Sequence, residues 1–168
     1  MMSRVQTGRQ PGSRVIRLDV AGTAAFVIAL GIAVPFRTHR FGQFLIAGAS
    51  MVLFAIGVAA TLLAYARALE RSRAEEVGVA NLFLLTGDTA PKPVHRTMSW
   101  ALAVQVIAAV TGAWIGVVGL DKGELNALAF GVLVPMFGIG MNGMWAAKNG
   151  SYGPRVGRTV SPTDHEIG

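Results

Sequence analysis

The chain has 168 residues, 52% hydrophobic and only 14% charged, with 15 Lys and Arg against 9 Asp and Glu for a net charge of +6. Soluble domains carry about 25% charged residues, so this composition, with a mean hydropathy of +0.51, excludes an ordinary water-facing surface. The chain has no cysteine, which excludes disulfides, thiolate metal sites and cysteine nucleophiles.

The length suits one domain, and its charges gather at the ends of long uncharged stretches. Segment 1–17, with Arg4, Arg9, Arg14 and Arg17, reads as a basic tail, disordered over 1–13 because glycine and proline punctuate it and little in it can be buried. A bilayer core of about 30 Å needs roughly 20 apolar residues in helix, and four stretches qualify. The first is "LDVAGTAAFVIALGIAVPF", residues 18–36, with Asp19 at its edge beside Arg17. It is too long for the apolar region of a cleavable signal peptide, and Pro35, Phe36 and Arg37 follow it instead of a small-residue cleavage site. The second, residues 44–66, contains no charge.

Loop 67–97 opens with "RALERSRAEE", which continues helix two with Arg71 and Glu75 at i,i+4 spacing. "GVANLFLL" is too short to span and reads as lying in the headgroup plane or docking on a partner. "TGDTAPKP" then breaks the helix. The third span covers 98–120 and the fourth 125–147, joined by "DKGE". Segment 148–168 is a flexible tail whose Ser161 and Thr163 are open to phosphorylation. Only helices or closed barrels satisfy backbone hydrogen bonds in lipid, and none of the four stretches alternates like a barrel strand. The expected fold is an all-α integral membrane protein with four transmembrane helices in two helical hairpins. The hairpins share one orientation, as a parallel repeat requires, but show no clear self-similarity.

Lys and Arg fix the orientation. The two tails and loop 67–97 hold 12 of them, and the connectors after spans one and three hold only Arg37, Arg40 and Lys122. Both termini are therefore expected inside, at the cytoplasmic membrane. The basic residues flank apolar runs without the interleaved aromatics that stack bases, so the partner they imply is anionic lipid headgroups, not nucleic acid. Arg14, Arg17, Arg67, Arg71, Arg73 and Arg96 are the headgroup candidates. Trp100 and Trp145, with Phe36, Phe41 and Phe44 at the other side, read as interfacial anchors.

Small residues every fourth position let helices approach in lipid. Ala21, Ala25, Ala29 and Ala33 form such a ladder in span one, and Ala108, Gly112 and Gly116 form another in span three. On span four Gly131, Pro135, Gly138 and Asn142 share a face, and Pro135 predicts a bend because it cannot donate to the carbonyl of Gly131. A packing kink is the preferred reading of that bend over a hinge. Gly138, Gly140 and Gly143 spell G-x-G-x-x-G, the dinucleotide fingerprint, but that motif needs a strand before it and free N–H groups at a helix start. Inside a continuous span those N–H groups are already used, so the glycines read as packing residues. Gln105 lies about 10 Å in from Met98 and Asn142 about 8 Å from the inner end of span four, predicting a Gln105–Asn142 hydrogen bond. Amides bonded to their own backbone or to interfacial water are the alternative.

With Asp19 placed at the interface, no ionisable residue remains mid-span, where proton relays and substrate pathways usually carry one. His39 is expected on the side opposite His95 and His165, so no pair can hold a mid-membrane iron. No catalytic motif is present. Neither a cofactor nor a metal is expected, nor an enzyme. The leading expectation is an accessory or structural subunit that packs with a larger membrane complex, its expected partner in the membrane being another protein or a homo-oligomer. The alternative is a small oligomeric transporter or channel, its path lined by Thr23, Ser50, Thr61, Gln105, Thr111 and Asn142.

"PKPVHRTMSWALAVQVIAAVTGA" and "LAFGVLVPMFGIGMNGMWAAKNGSYGPR" resemble a group of small actinobacterial four-span membrane proteins over roughly 67–155. In that group a P-x-x-V-R-R-like segment, an alanine-rich third span and a closing G-x-L-V-P pattern recur. His95 with Arg96 stands here where two basic residues are common. The resemblance implies topology and lineage and carries no activity. The excess of arginine over lysine and the abundance of alanine fit a GC-rich bacterial genome.

Overall fold

In the computed structural model the described residues are 12–73, 75–118 and 126–153. Outside them lie residues 1–11, the connector "DKGE", Lys122, the junction between spans three and four, and the tail with Arg155, Arg158, Ser161, Thr163 and His165. The described residues form helices and turns, with no strand among them. Helix α1 covers Ser13–Ala33, α2 Arg40–Arg71, α3 Val79–Leu84, α4 Lys92–Val117 and α5 Pro135–Asn149; 3-10 turns cover Gly87–Thr89 and Ala127–Leu133. Helices α1, α2 and α4, and the combined stretch Ala127–Asn149, are each long and apolar enough to cross a membrane.

Three helices start before their apolar runs do. α1 begins at Ser13, where the Gly12 carbonyl accepts from the amides of Val15 and Ile16, so Asp19 lies more than a turn inside the helix. α2 begins at Arg40, ahead of Phe44, and continues to Arg71, as "RALER" predicts, and Arg71 and Glu75 form an ion pair at 2.7 Å. α4 starts at Lys92 after Pro91, with Pro93 also in its first turn, where a missing N–H costs nothing.

α5 is the centre of the bundle. Half of the apolar window of the fourth span is buried, against 22–28% in the other three. Its principal neighbour is α2, with α1, α3 and α4 completing its surround. α2 and α5 cross at two glycines: a Cβ on Gly57 would meet the backbone of Met136 and Phe137, and one on Gly140 would meet the carbonyl of Gly57. Thr61 donates to that same Gly57 carbonyl at 2.9 Å. Gly57 was not singled out from the sequence, since it belongs to no four-residue ladder there.

α3 is the "GVANLFLL" segment, and it docks on its own chain. Leu82 and Leu85 are buried, and Phe83 packs against Gly143. Leu85 ends the helix in the left-handed region at φ 55, a conformation that costs a non-glycine residue about 1–2 kcal/mol and is held by its buried side chain. Val79 and Leu84 stay exposed.

The fourth span is not one continuous helix. Ala127–Leu133 is 3-10, with the Val134 amide donating to the Gly131 carbonyl at 3.0 Å, and α5 starts at Pro135. The bend expected at Pro135 is therefore a change of helix type. Proline removes the donor an α-helix would aim at Gly131, and the tighter turn supplies the Val134 amide instead. Asn126 caps the 3-10 segment by accepting from Ala129 N at 3.2 Å, and it ties the segment to α4 by donating to the Ala113 carbonyl at 3.1 Å.

Candidate functional site

The buried face of α1 is Asp19, Thr23, Phe26, Leu30 and Ala33, together with Ala29. These residues step by four and three, the spacing that keeps one face on a 3.6-residue helix. The alanine ladder steps strictly by four and so drifts about 40° per step. Ala29 and Ala33 are buried, whereas Ala21 and Ala25 face outward, against the sequence expectation. On α4 the ladder is half-buried at Ala108 and buried at Gly112 and Gly116, where Gly112 seats Leu30 and Gly116 makes room for Asn126. Gly131 lies where Phe26 and Ala109 converge, Pro135 is half-buried, and Gly138 and Asn142 are buried.

The phase of α1 brings a polar cluster into the interior. Asp19 and Gln105 are 0% exposed and Thr23 is 7%. Gln105 Nε2 donates to Thr23 Oγ1 at 2.7 Å and, at 3.4 Å, to Asp19 Oδ1. Thr23 Oγ1 donates to the Asp19 carbonyl at 2.8 Å. Gln105 Oε1 accepts from the Gly138 amide at 3.1 Å. Thr23 is ten residues into α1, about 15 Å at 1.5 Å per residue, which is near the middle of that helix. Among the described residues Asp19 Oδ2 has no hydrogen-bond partner.

Three sequence expectations change here. Asp19 is an interior residue of α1, because the helix starts at Ser13. The Gly138 amide is not consumed by its own helix: α5 starts three residues earlier, the Val134 carbonyl takes the Phe137 amide at 2.8 Å, and Gln105 serves as the acceptor for Gly138. Such first-turn amides need outside partners, and a Cβ at 138 would press on Leu102 and on the Gln105 Oε1 that serves as this partner. Finally, Gln105 and Asn142 do not bond to one another. Gln105 is level with Gly138, one turn before Asn142, and Asn142 Nδ2 donates to the Phe83 carbonyl at 3.1 Å.

Of the hydroxyls and amides expected to line a path, Thr23 and Gln105 are hydrogen-bonded to one another. Ser50 is buried, Thr61 is half-buried on its own helix, and Thr111 faces outward. A shallow apolar groove of about 280 Å³ lies on the 3-10 segment, lined by Asn126, Ala129, Phe130, Val132 and Leu133, with no cluster residue in its wall.

At the end of the bundle where α5 stops, Arg71 turns inward, away from the headgroup role expected of it. Its guanidinium donates to the carbonyls of Ala147 and Gly150, both at 3.1 Å, pairs with Glu75, and stacks 4.9 Å from the Tyr152 ring centroid. The last carbonyls of a helix are orphan acceptors at its negative end, and Arg71 answers both needs. Burial pushes the Tyr152 phenol upward, with Arg71 pulling back. Arg71→Ala is expected to cost roughly 1–3 kcal/mol, the net value of charge-assisted hydrogen bonds, read as a lower thermal midpoint in detergent. An unchanged midpoint would remove the capping role.

Arg14, Arg17, Arg67, Arg73 and Arg96 are exposed, as are Trp100, Phe36, Phe41 and Phe44. Trp145 is 1% exposed, packed beneath Gly12, so it is a core residue instead of an interfacial anchor. Arg37, at the opposite end, caps α4 by donating to the carbonyls of Ile115 and Val118. No protein-family model, curated protein or solved structure matches the chain.

Proposed function

We propose that this chain is a multi-pass protein of the cytoplasmic membrane, both termini inside, of the lineage its second half resembles. In this reading it acts without enzymatic chemistry as an accessory subunit that packs beside a larger membrane complex. Four helices of spanning length and the basic residues gathered on one side support the membrane part of the reading. The five exposed arginines then meet anionic headgroups.

The observation that carries the accessory role is the outward face of α1. Ala21, Ala24, Ala25 and Gly31 are exposed there, interspersed with Ile28 and Ile32, and a Cβ on Gly31 would meet nothing within 4 Å. Lipid gives small residues no advantage, whereas a neighbouring helix does, because close backbone approach supplies the packing energy. A tagged chain taken from its own membrane in mild detergent is expected to retain a stoichiometric partner. Ala25→Leu is expected to lose that partner while keeping the thermal midpoint of the isolated chain. A monodisperse monomer with no partner after crosslinking would overturn the reading.

One observation favours the second reading, a small oligomeric transporter or channel: the buried Asp19–Thr23–Gln105 cluster. Ionisable residues inside a spanning bundle usually belong to a pathway. Purification as a homo-oligomer alone, together with aqueous labelling of Thr23→Cys, would favour it over the accessory role. An unreactive cysteine would dispose of it.

A further inference from the structure

We propose that Asp19, framed by Thr23 and Gln105, is a proton-binding site inside the bundle. Its occupant is chosen by the free valences of the cluster. Both hydrogens of the Gln105 amide are spent, on Thr23 Oγ1 and Asp19 Oδ1, and its oxygen holds the Gly138 amide. Thr23 both donates and accepts within the cluster. What remains is one carboxylate oxygen, Asp19 Oδ2, on a side chain with no exposure and no partner among the described residues. A metal cation needs a shell of several oxygens, which a single free oxygen cannot supply. A proton needs one. The step is simple: H⁺ from water adds to the carboxylate, forming the Oδ2–H bond and removing its charge.

Among the described residues no opposite charge competes for that role. On α1 the nearest cations, Arg14 and Arg17, are exposed; on α4, Lys92, His95 and Arg96 are exposed in its first two turns; Lys148 on α5 and Arg67 on α2 are exposed. Among the described residues the ion pair present is Arg71–Glu75. Leaving a charge unpaired in an apolar interior is among the costliest arrangements available to a protein. The charge state of Asp19 also has a route to the backbone. The amide it engages belongs to Gln105, whose oxygen holds the first turn of α5 where the fourth span changes helix type.

This inference concerns the interior of the chain and stands with or without a lateral partner. It is tested by infrared difference spectroscopy of the reconstituted protein, scanned across pH at fixed salt. The wild type is expected to show a protonated-carboxyl carbonyl band that titrates, and Asp19→Asn to lose one such band per chain. Asp19→Glu is expected to keep a titrating band at a shifted frequency, which holds the test open should the asparagine variant fold poorly. Gln105→Leu, which removes the donor to Oδ1, is expected to move the band without abolishing it. A wild-type band set identical to that of Asp19→Asn would overturn the proposal. So would a band that responds to sodium at constant pH and not to protons. Asp19→Asn is expected to leave co-purification of any partner unchanged, so failure of the accessory reading and failure of this one are separable.

Discussion

Gly140→Ala is expected to be among the most damaging single substitutions in the chain, although it adds only one carbon. That carbon would meet the carbonyl oxygen of Gly57, with Ala60 Cβ 3.1 Å away. The obstacle is backbone, so no rotamer change relieves it and α2 must move off α5. Overpacking of a closed core costs typically 1–3 kcal/mol, and the α2–α5 crossing is the seam around which the other helices are arranged. Gly57→Ala presses on the same seam from the opposite side, against Met136 and Phe137. The double substitution is expected to cost less than the two singles combined, because residues in contact are not additive. Gly31→Ala and Gly48→Ala are the controls, since a Cβ at either position meets nothing within 4 Å. Thermal midpoints and the monodisperse fraction in mild detergent decide the matter. Wild-type behaviour of Gly140→Ala would mean the crossing is looser than described.

Gln105→Leu is expected to have the second large effect, for the opposite reason. The volume is nearly kept, but the Gly138 amide and Asp19 Oδ1 both lose their partner in a buried site. Each orphaned group costs about 1–3 kcal/mol, so a loss of roughly 2–6 kcal/mol is expected from the pair on that basis. Gln105→Glu keeps an acceptor for Gly138 but removes the donor that faces Asp19, setting two carboxyl groups against one another. It is expected to be worse than leucine. Denaturation of the three proteins side by side in detergent micelles checks the order. A leucine variant as stable as wild type would show the hydrogen bonds of Gln105 to be dispensable.

Asp19 shows where reading the sequence stops. Its residue type, its spacing of four from Thr23, and the apolar positions 26, 30 and 33 were all in view. What hid its place was the start of α1. Hydropathy puts that start at Leu18, whereas hydrogen bonding to Gly12 puts it at Ser13. Arg71 is similar. Its pairing with Glu75 followed from i,i+4 spacing, but its two bonds to the end of α5 join residues 76 and 79 positions away.

By itself the sequence determined four long apolar helices, the breaks at its glycines and prolines, the extension of α2 beyond its apolar run, and the gathering of basic charge at particular segment ends. Backbone hydrogen bonding and the length of an apolar run are local properties, so a local reading suffices for them. Only the tertiary structure decided which face of each helix turns inward, that the fourth span splits into 3-10 and α, that Asp19 and Trp145 belong to the interior, and that Arg71 bonds the end of α5. The reason is physical. Large apolar residues lie on both the inner and the outer faces of these helices, so hydropathy carries no contrast between the two sides. The phase of a helix is then set by what a neighbour can fit or bond: a glycine under a passing backbone, an amide facing a free first-turn N–H. Those matches exist only once the helices are side by side.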